Sequence, residues 1–335
     1  MKRFFPFFLL SMLFTVWGVG FGLPQIDAAD GLSQSEPQVG WQFKTGRFYL
    51  DLGLQAGYLK GDSTYRITFP GGASELEFPL KTYLIGPQLV WGYKNNEKQD
   101  VVRLEAKWLT NIGHGSGKMK DSDWIDNDSD FFGEPVPDHP GKDIYSESKI
   151  DLGVDIFDAN VVYNFWPVKF FGIGPLAGYK YQRFKYEVSD TNQVGYGPYA
   201  PDFTAYVPGR TLDYKVKYSL PYFGLGSDLM LGDKIRINFK GAYSPWASAK
   251  DTDDHLLRYK LSKGDTDGYA YFGNVNGNWN FLPHWILTVG GEYMKIHTTG
   301  TQHQSFYDGS GVTFDVDDKI TSKQWFYSAM VTYRF

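Results

Sequence analysis

Two short acidic runs hold the side chains of this sequence that could do chemistry together. One is Met119-Lys120-Asp121-Ser122-Asp123-Trp124, and the other is Asp251-Thr252-Asp253-Asp254-His255. In extended backbone, residues two apart point the same way. Asp121 and Asp123 then share one face, and Asp251, Asp253 and His255 share another. A carboxylate beside an imidazole orients the ring and stabilises its charged form, which makes it a better general base. A second carboxylate pair can hold and polarise a water. Simple solvation of an Asp-rich loop is the competing reading of either run taken alone.

Other chemistries fit less well. A calcium hand beginning at Asp121 needs Gly at its sixth position and Glu at its twelfth, where Asp126 and Phe132 stand. Gly115-Ser116-Gly117-Lys118 lacks the earlier glycine of a phosphate loop, and Met119 replaces its Ser or Thr. Zinc on His255 with carboxylates has no supporting spacing. His284, His297 and His303 are scattered and read as solvated. There is no cysteine, which excludes disulfides, thiolate metal sites and a cysteine nucleophile. The expectation is a site with no metal and no cofactor.

The elements that must carry these residues are strands. In the last one, Trp325, Tyr327, Ala329, Val331, Tyr333 and Phe335 lie on one face. Gln324, Ser328, Thr332 and Arg334 lie on the other, with Phe326 and Met330 its only apolar members. Residues 269–281 set Tyr269, Tyr271, Val275, Trp279 and Phe281 against Asn274, Asn276, Asn278 and Asn280. Aromatic on one side and hydrogen-bonding on the other is the pattern of a strand between lipid and a wet lumen. Arg103, Glu105 and Lys107, and Arg236 and Lys240, fall on inward faces. Inward charges of both signs predict ion pairs across a narrow lumen rather than an open channel.

Strands are predicted near 44–60, 74–93, 99–112, 147–165, 169–188, 211–230, 234–247, 265–281, 284–298 and 318–335. Four connections are short: 95–98, Trp166-Pro167-Val168, 231–233 and 282–283. Five are long and polar: 61–73, 113–146, 189–210, 248–264 and 299–317. The two classes alternate strictly. That predicts an all-β, ten-stranded antiparallel up-and-down transmembrane barrel, with short periplasmic turns and long extracellular loops. Several strands exceed the roughly 9–11 residues of a crossing, so the wall is expected to rise above the membrane. Both acidic runs fall in long loops at the outer end.

Lys2 and Arg3, the apolar stretch Phe4 to Phe21, and Ala28-Ala29 read as a secretory signal over 1–29, leaving 30–335 as the barrel. Cleavage there removes Lys2, Arg3 and Asp27 and takes the net charge from −5 to −6. Mild acidity argues against nucleic acid as a partner. Aromatics make up 18% of the chain, an excess that serves as girdles at the membrane interfaces.

Several segments together resemble the omptins, a family of outer-membrane proteases on a ten-stranded barrel. Gly115 to Trp124 is similar to the family's loop with a catalytic aspartate pair, and His139-Pro140 fits a His-Pro in the same loop. Gly178-Tyr179-Lys180-Tyr181-Gln182-Arg183-Phe184 and Leu220-Pro221-Tyr222-Phe223-Gly224-Leu225 resemble two family strands. Tyr243-Ser244-Pro245-Trp246 and Asp251 to His255 fit the segment with the catalytic Asp-x-His. The resemblance covers nearly the whole mature sequence. It implies that Asp253 and His255 activate water, that Asp121 and Asp123 oppose them, and that Asp251 walls a pocket for a basic residue before the cleaved bond. It also implies an activating lipopolysaccharide on the outer wall at Tyr179, Arg183 and Lys217, polypeptide substrates, and a site facing the cell exterior. One departure concerns that pocket: the family's first loop supplies a glutamate where Tyr65 aligns, with Glu75 or Glu77 as nearby substitutes. Tyr181 also replaces a glutamate of the lipid motif, and the Trp-Thr-Asp before His139-Pro140 is missing. The alternative from another class is a non-catalytic barrel acting as an adhesin or structural protein. What separates the two is the joint presence of Asp-x-Asp and Asp-x-His.

Overall fold

The computed structural model describes residues 47–69, 71–125, 142–196 and 203–335. The signal segment and His139-Pro140 expected above lie outside them. Twelve strand segments follow one another: β1 (Arg47–Phe69), β2 (Gly72–Lys94), β3 (Asp100–Asn111), β4 (Lys118–Ile125), β5 (Ile144–Tyr163), β6 (Phe165–Val168), β7 (Phe171–Gly195), β8 (Thr204–Leu231), β9 (Ile235–His255), β10 (Lys260–Leu282), β11 (Trp285–Phe306) and β12 (Thr313–Arg334). They make ten staves. β3 and β4 run in series between β2 and β5, with Gly115 bridged to Leu152 across the gap. β6 continues β5 along the edge of β7. β1 pairs with both β2 and β12, so the antiparallel sheet closes on itself and leaves no edge.

Side-chain parity sorts as the sequence predicts. Trp325, Tyr327, Val331 and Phe335 are exposed on the outer face of β12, while Gln324, Phe326, Met330 and Thr332 are buried inside. The outer apolar stretch from Trp325 to Phe335 has the length of one crossing, roughly 9–11 residues. Two aromatic levels bound this band. Near the short turns, Phe48 stacks on Trp91 at 5.3 Å and Trp285 meets Tyr333 at 5.2 Å. At the other limit Tyr58 meets Tyr83 at 5.1 Å and Tyr293 meets Trp325 at 4.5 Å.

Within the band the lumen is crossed by ion pairs. Arg103 reaches Asp228 at 3.0 Å, Lys240 reaches Glu105 at 2.6 Å, and Lys107 lies 3.5 Å from Glu292. Above it the lumen fills with a mainly apolar and aromatic plug that includes Phe78, Phe184, Tyr186, Tyr214 and Tyr218, all fully buried. This plug is the floor on which the polar mouth stands.

The strands run further than the sequence reading placed them. β9 continues to His255 and β10 begins at Lys260, so the expected loop 248–264 narrows to a single 3₁₀ turn, Leu256–Arg258, and Tyr259 at φ 49°. The expected loop 113–146 contains β4, and Asp121 and Asp123 stand on it. Both acidic runs are therefore on strands, not in loops. Above the lipid both faces of a stave can be polar, so the aromatic-versus-polar alternation that marks a strand fades although the hydrogen-bond ladder continues. A smaller correction concerns Trp166-Pro167-Val168, which belongs to β6; the turn is Lys169 and Phe170.

Candidate active site

Asp251, Asp253 and His255 alternate along the inner face of β9, above the lipid band. Asp253 stands between Tyr214 of β8 and Ser262 of β10; Asp251 stands between Val216 and Gly264. Asp253 is fully buried, and His255 Nε2 lies 2.8 Å from its Oδ2. The ring N–H is not aligned on the carboxylate, so the two groups are in contact without a straight hydrogen bond. Four staves away, β4 carries Asp121 between Leu76 of β2 and Ser146 of β5, and Asp123 between Ser74 and Ile144. Ser74 donates its hydroxyl proton to Asp121 at 3.3 Å.

The two groups face one another across the mouth. Asp121 feels the charge of Asp253, and Asp123 feels His255. Arg258, in the turn after β9, draws on both aspartates. Burial, and then the like charge of Asp123, pushes Asp121 up to about 8. Burial likewise raises Asp123. Two partly buried carboxyls that are both raised favour keeping a proton on the pair. The pair thus offers one donor and one acceptor opposite a carboxylate and an imidazole. Lys260, in register with His255, is lowered by its own burial.

Below the dyad the wall turns aromatic and acidic. Asp251 is buried, and Gln302 donates to its Oδ2 at 3.4 Å. Gln302 in turn accepts from the Tyr65 hydroxyl at 2.8 Å and from Gln304 at 2.8 Å. Tyr65 is buried, with its ring stacked on Tyr214 at 5.5 Å. It reaches Asp251 through Gln302. Glu75 and Glu77 do not substitute for the missing acid. Both point outward, Glu75 to Arg66 at 3.3 Å and Glu77 to Lys120 at 3.0 Å, because they sit one residue out of phase with inward Ser74 and Leu76. Sequence reasoning missed Ser74, Gln302, Gln304 and Asp318. Gln302 and Gln304 were hidden in the expected loop 299–317. Asp318 opened a predicted strand, and its parity with buried Gln324 was the signal available.

On the outer wall, Arg183 of β7 and Lys217 of β8 are direct cross-strand neighbours. Arg183 Nε donates to Asp155 at 3.0 Å, and the Tyr179 hydroxyl lies 2.7 Å from that of Ser219. Lys185 and Lys215, one step up, are also paired. The three residues singled out from the sequence do share one outer face.

A family model described as the omptin family matches residues 50–335. The chain belongs to the omptin family. A plasminogen activator of Yersinia pestis is 27% identical over 283 residues, covering 79% of this chain and 86% of that protein. Protease 7 of Escherichia coli O157:H7 is 22% identical over 271 residues, covering 78% and 82%. In fold, this omptin is similar to the crystal structure of the outer membrane protease OmpT from Escherichia coli. The TM-score is 0.71 at 16% identity, over 86% of this chain and 97% of that one. The chain is thus an outer-membrane barrel of a family whose named relatives include proteases.

Proposed function

We propose that this omptin is a surface endopeptidase that cleaves peptide bonds next to basic residues with an activated water. The observation that supports it is the facing arrangement of Asp253–His255 and Asp121–Asp123 across the barrel mouth. Asp253 orients the imidazole, and neutral His255 takes the proton of a water as it attacks the scissile carbonyl carbon. The ionised member of the Asp121–Asp123 pair holds that water. The protonated member donates to the carbonyl oxygen as it gains negative charge. His255 then returns its proton to the leaving amine. Asp251, below the dyad, attracts the cationic side chain of the residue before the cleaved bond.

The mouth faces the cell exterior in this reading, since the short turns at the far end are those an up-and-down barrel leaves on the periplasmic side. Lipopolysaccharide binds the outer wall at Tyr179, Arg183 and Lys217, where a basic column can pair with lipid phosphates. A peptide library incubated with refolded protein and lipopolysaccharide tests the reading. Cleavage beside Arg or Lys is expected. Intact peptides would leave a non-catalytic adhesin or structural barrel instead.

A further inference from the structure

Asp318 belongs to no residue pattern used above, yet it is among the least solvated acids of the chain. It sits on the inner face of β12 with 2% of its surface exposed. No side chain other than the Asp251 carboxyl is placed to donate to its carboxylate oxygens, and Asp251 Oδ1 has no donor from a third residue. The two carboxylates meet over Gly264 of β10. A Cβ added to that glycine would lie 2.0 Å from Asp251 Oδ1 and 2.5 Å from Asp318 Oδ2. Only a residue without a side chain leaves this space to the two acids. The Tyr214 hydroxyl, fully buried beside them, also lacks a partner.

Two buried carboxyls side by side with no donor but each other form an unfinished arrangement. A structural ion pair would have a base built in, as the membrane-level lumen does with Arg103 and Asp228. Here the titratable groups facing Asp318 are Asp251 and Asp253 of β9, Tyr214 and Tyr218 of β8, and Tyr65 of β1. None supplies a positive charge. Among the described residues no group of three or more His, Cys, Asp or Glu is disposed to hold a metal ion. A cation delivered from outside, with several N–H donors, would satisfy several of these oxygens at once.

We propose that Asp318 is the second acid of the substrate pocket, acting with Asp251 to bind the guanidinium or ammonium group of a basic substrate residue. This rests on the endopeptidase reading above and supplies, from the last strand, the acid absent from the first. Tyr65 then serves as a positioning residue. Its hydroxyl holds Gln302, and Gln302 holds Asp251. Selectivity for basic residues is therefore that of a two-acid pocket, stronger than Asp251 alone would provide. In the empty pocket the two carboxyls share a proton: burial, then Asp318, holds Asp251 well above the usual carboxylate range, and burial brings Asp318 up to about 7. Binding a cation expels that proton.

The test compares peptides that differ only at the residue before the cleaved bond: Arg, its neutral isostere citrulline, and norleucine. Wild type should prefer Arg to citrulline by at least about a hundredfold in kcat/KM. Asp318→Asn should cut that ratio at least about tenfold, mainly through KM for the Arg peptide, while Asp318→Glu should restore much of it. Inhibition of wild type by benzamidine should tighten from pH 6 to 8, and Asp318→Asn should flatten that trend. Benzamidine binding followed by thermal shift needs no turnover, so it tests the pocket even if no peptide is cut. Heat-modifiable gel migration shows which variants fold, and Asp318→Ser replaces Asn if that variant does not. An Arg-to-citrulline ratio unchanged by Asp318→Asn would overturn the assignment and leave the endopeptidase standing. So would calcium, rather than benzamidine, stabilising the wild type. Failure of wild type to cleave any peptide would instead count against the endopeptidase reading.

Discussion

At the scale of single residues, the carboxyls of the mouth sit in different environments. Asp121 is partly buried beside Asp123, which favours its protonated form up to about pH 8, whereas Asp253 is fully buried in contact with the His255 ring. The proposed donor role of Asp121 requires its protonated form, so the rate should decline as pH rises through about 8. Asp121→Asn, which keeps a donor but cannot ionise, should be slow and should lack that alkaline limb. On the acid side the rate should fall because His255 must be neutral to accept a proton. A pH profile of kcat/KM for both proteins checks this. His255→Ala or Asp253→Ala should lower kcat at least about a hundredfold, while Asp151→Ala, on the outer wall beside His114, should not. Chelators, serine-directed inhibitors and thiol-directed inhibitors should have no effect.

At the scale of elements, the upper halves of the staves do the positioning. A site on hydrogen-bonded strands holds its side chains more closely than one on loops. The turn from His255 to Lys260 keeps Arg258 close enough for its charge to reach Asp121 and Asp123, and Tyr259 adopts a left-handed backbone to close it. The chain Tyr65–Gln302–Asp251 ties β1, β11 and β9 together. Tyr65→Phe removes its only donor, so KM for basic peptides should rise about three- to tenfold with kcat little changed. On the outer wall, β7 and β8 present Arg183 beside Lys217. Replacing both by Ala should weaken stimulation by added lipopolysaccharide without altering migration of the folded protein. Stimulation equal to wild type would remove that wall as the lipid site.

For the whole molecule, closure of the ten staves predicts a detergent-resistant barrel. Unboiled and boiled protein should migrate differently on a detergent gel, and the circular dichroism spectrum should be β-rich. The buried acids of the mouth add a pH dependence to its stability. Asp121, Asp251 and Asp318 all bind protons more tightly folded than at their ordinary value of 3.8. Between about pH 4 and pH 8 the folded state therefore holds more protons than the unfolded one, and stability falls as pH rises through that window. The unfolding midpoint should be higher at pH 5 than at pH 9, by about 5 °C or more. Asp318→Asn should narrow the difference, chiefly by raising the midpoint at pH 9.

Much of this molecule is local, and the local part was legible. Alternation in the stretch ending at Phe335 and in residues 269–281 reports lipid on one face and water on the other, whatever the strand pairs with. Short turns alternating with long polar stretches count the staves. Asp-x-Asp and Asp-x-His put their members on one face because the side-chain period is two. What lay beyond the sequence was proximity between staves. Asp318 meets Asp251 only because β12 and β9 flank β10 and β11 in a closed ring at one register, with Gly264 bare between them. The same register turns Glu75 and Glu77 outward to Arg66 and Lys120, although they lie close in sequence to the acid they were expected to replace. Strand period is a property of one segment, but which carboxylates become neighbours depends on barrel closure and stagger, which no single segment encodes.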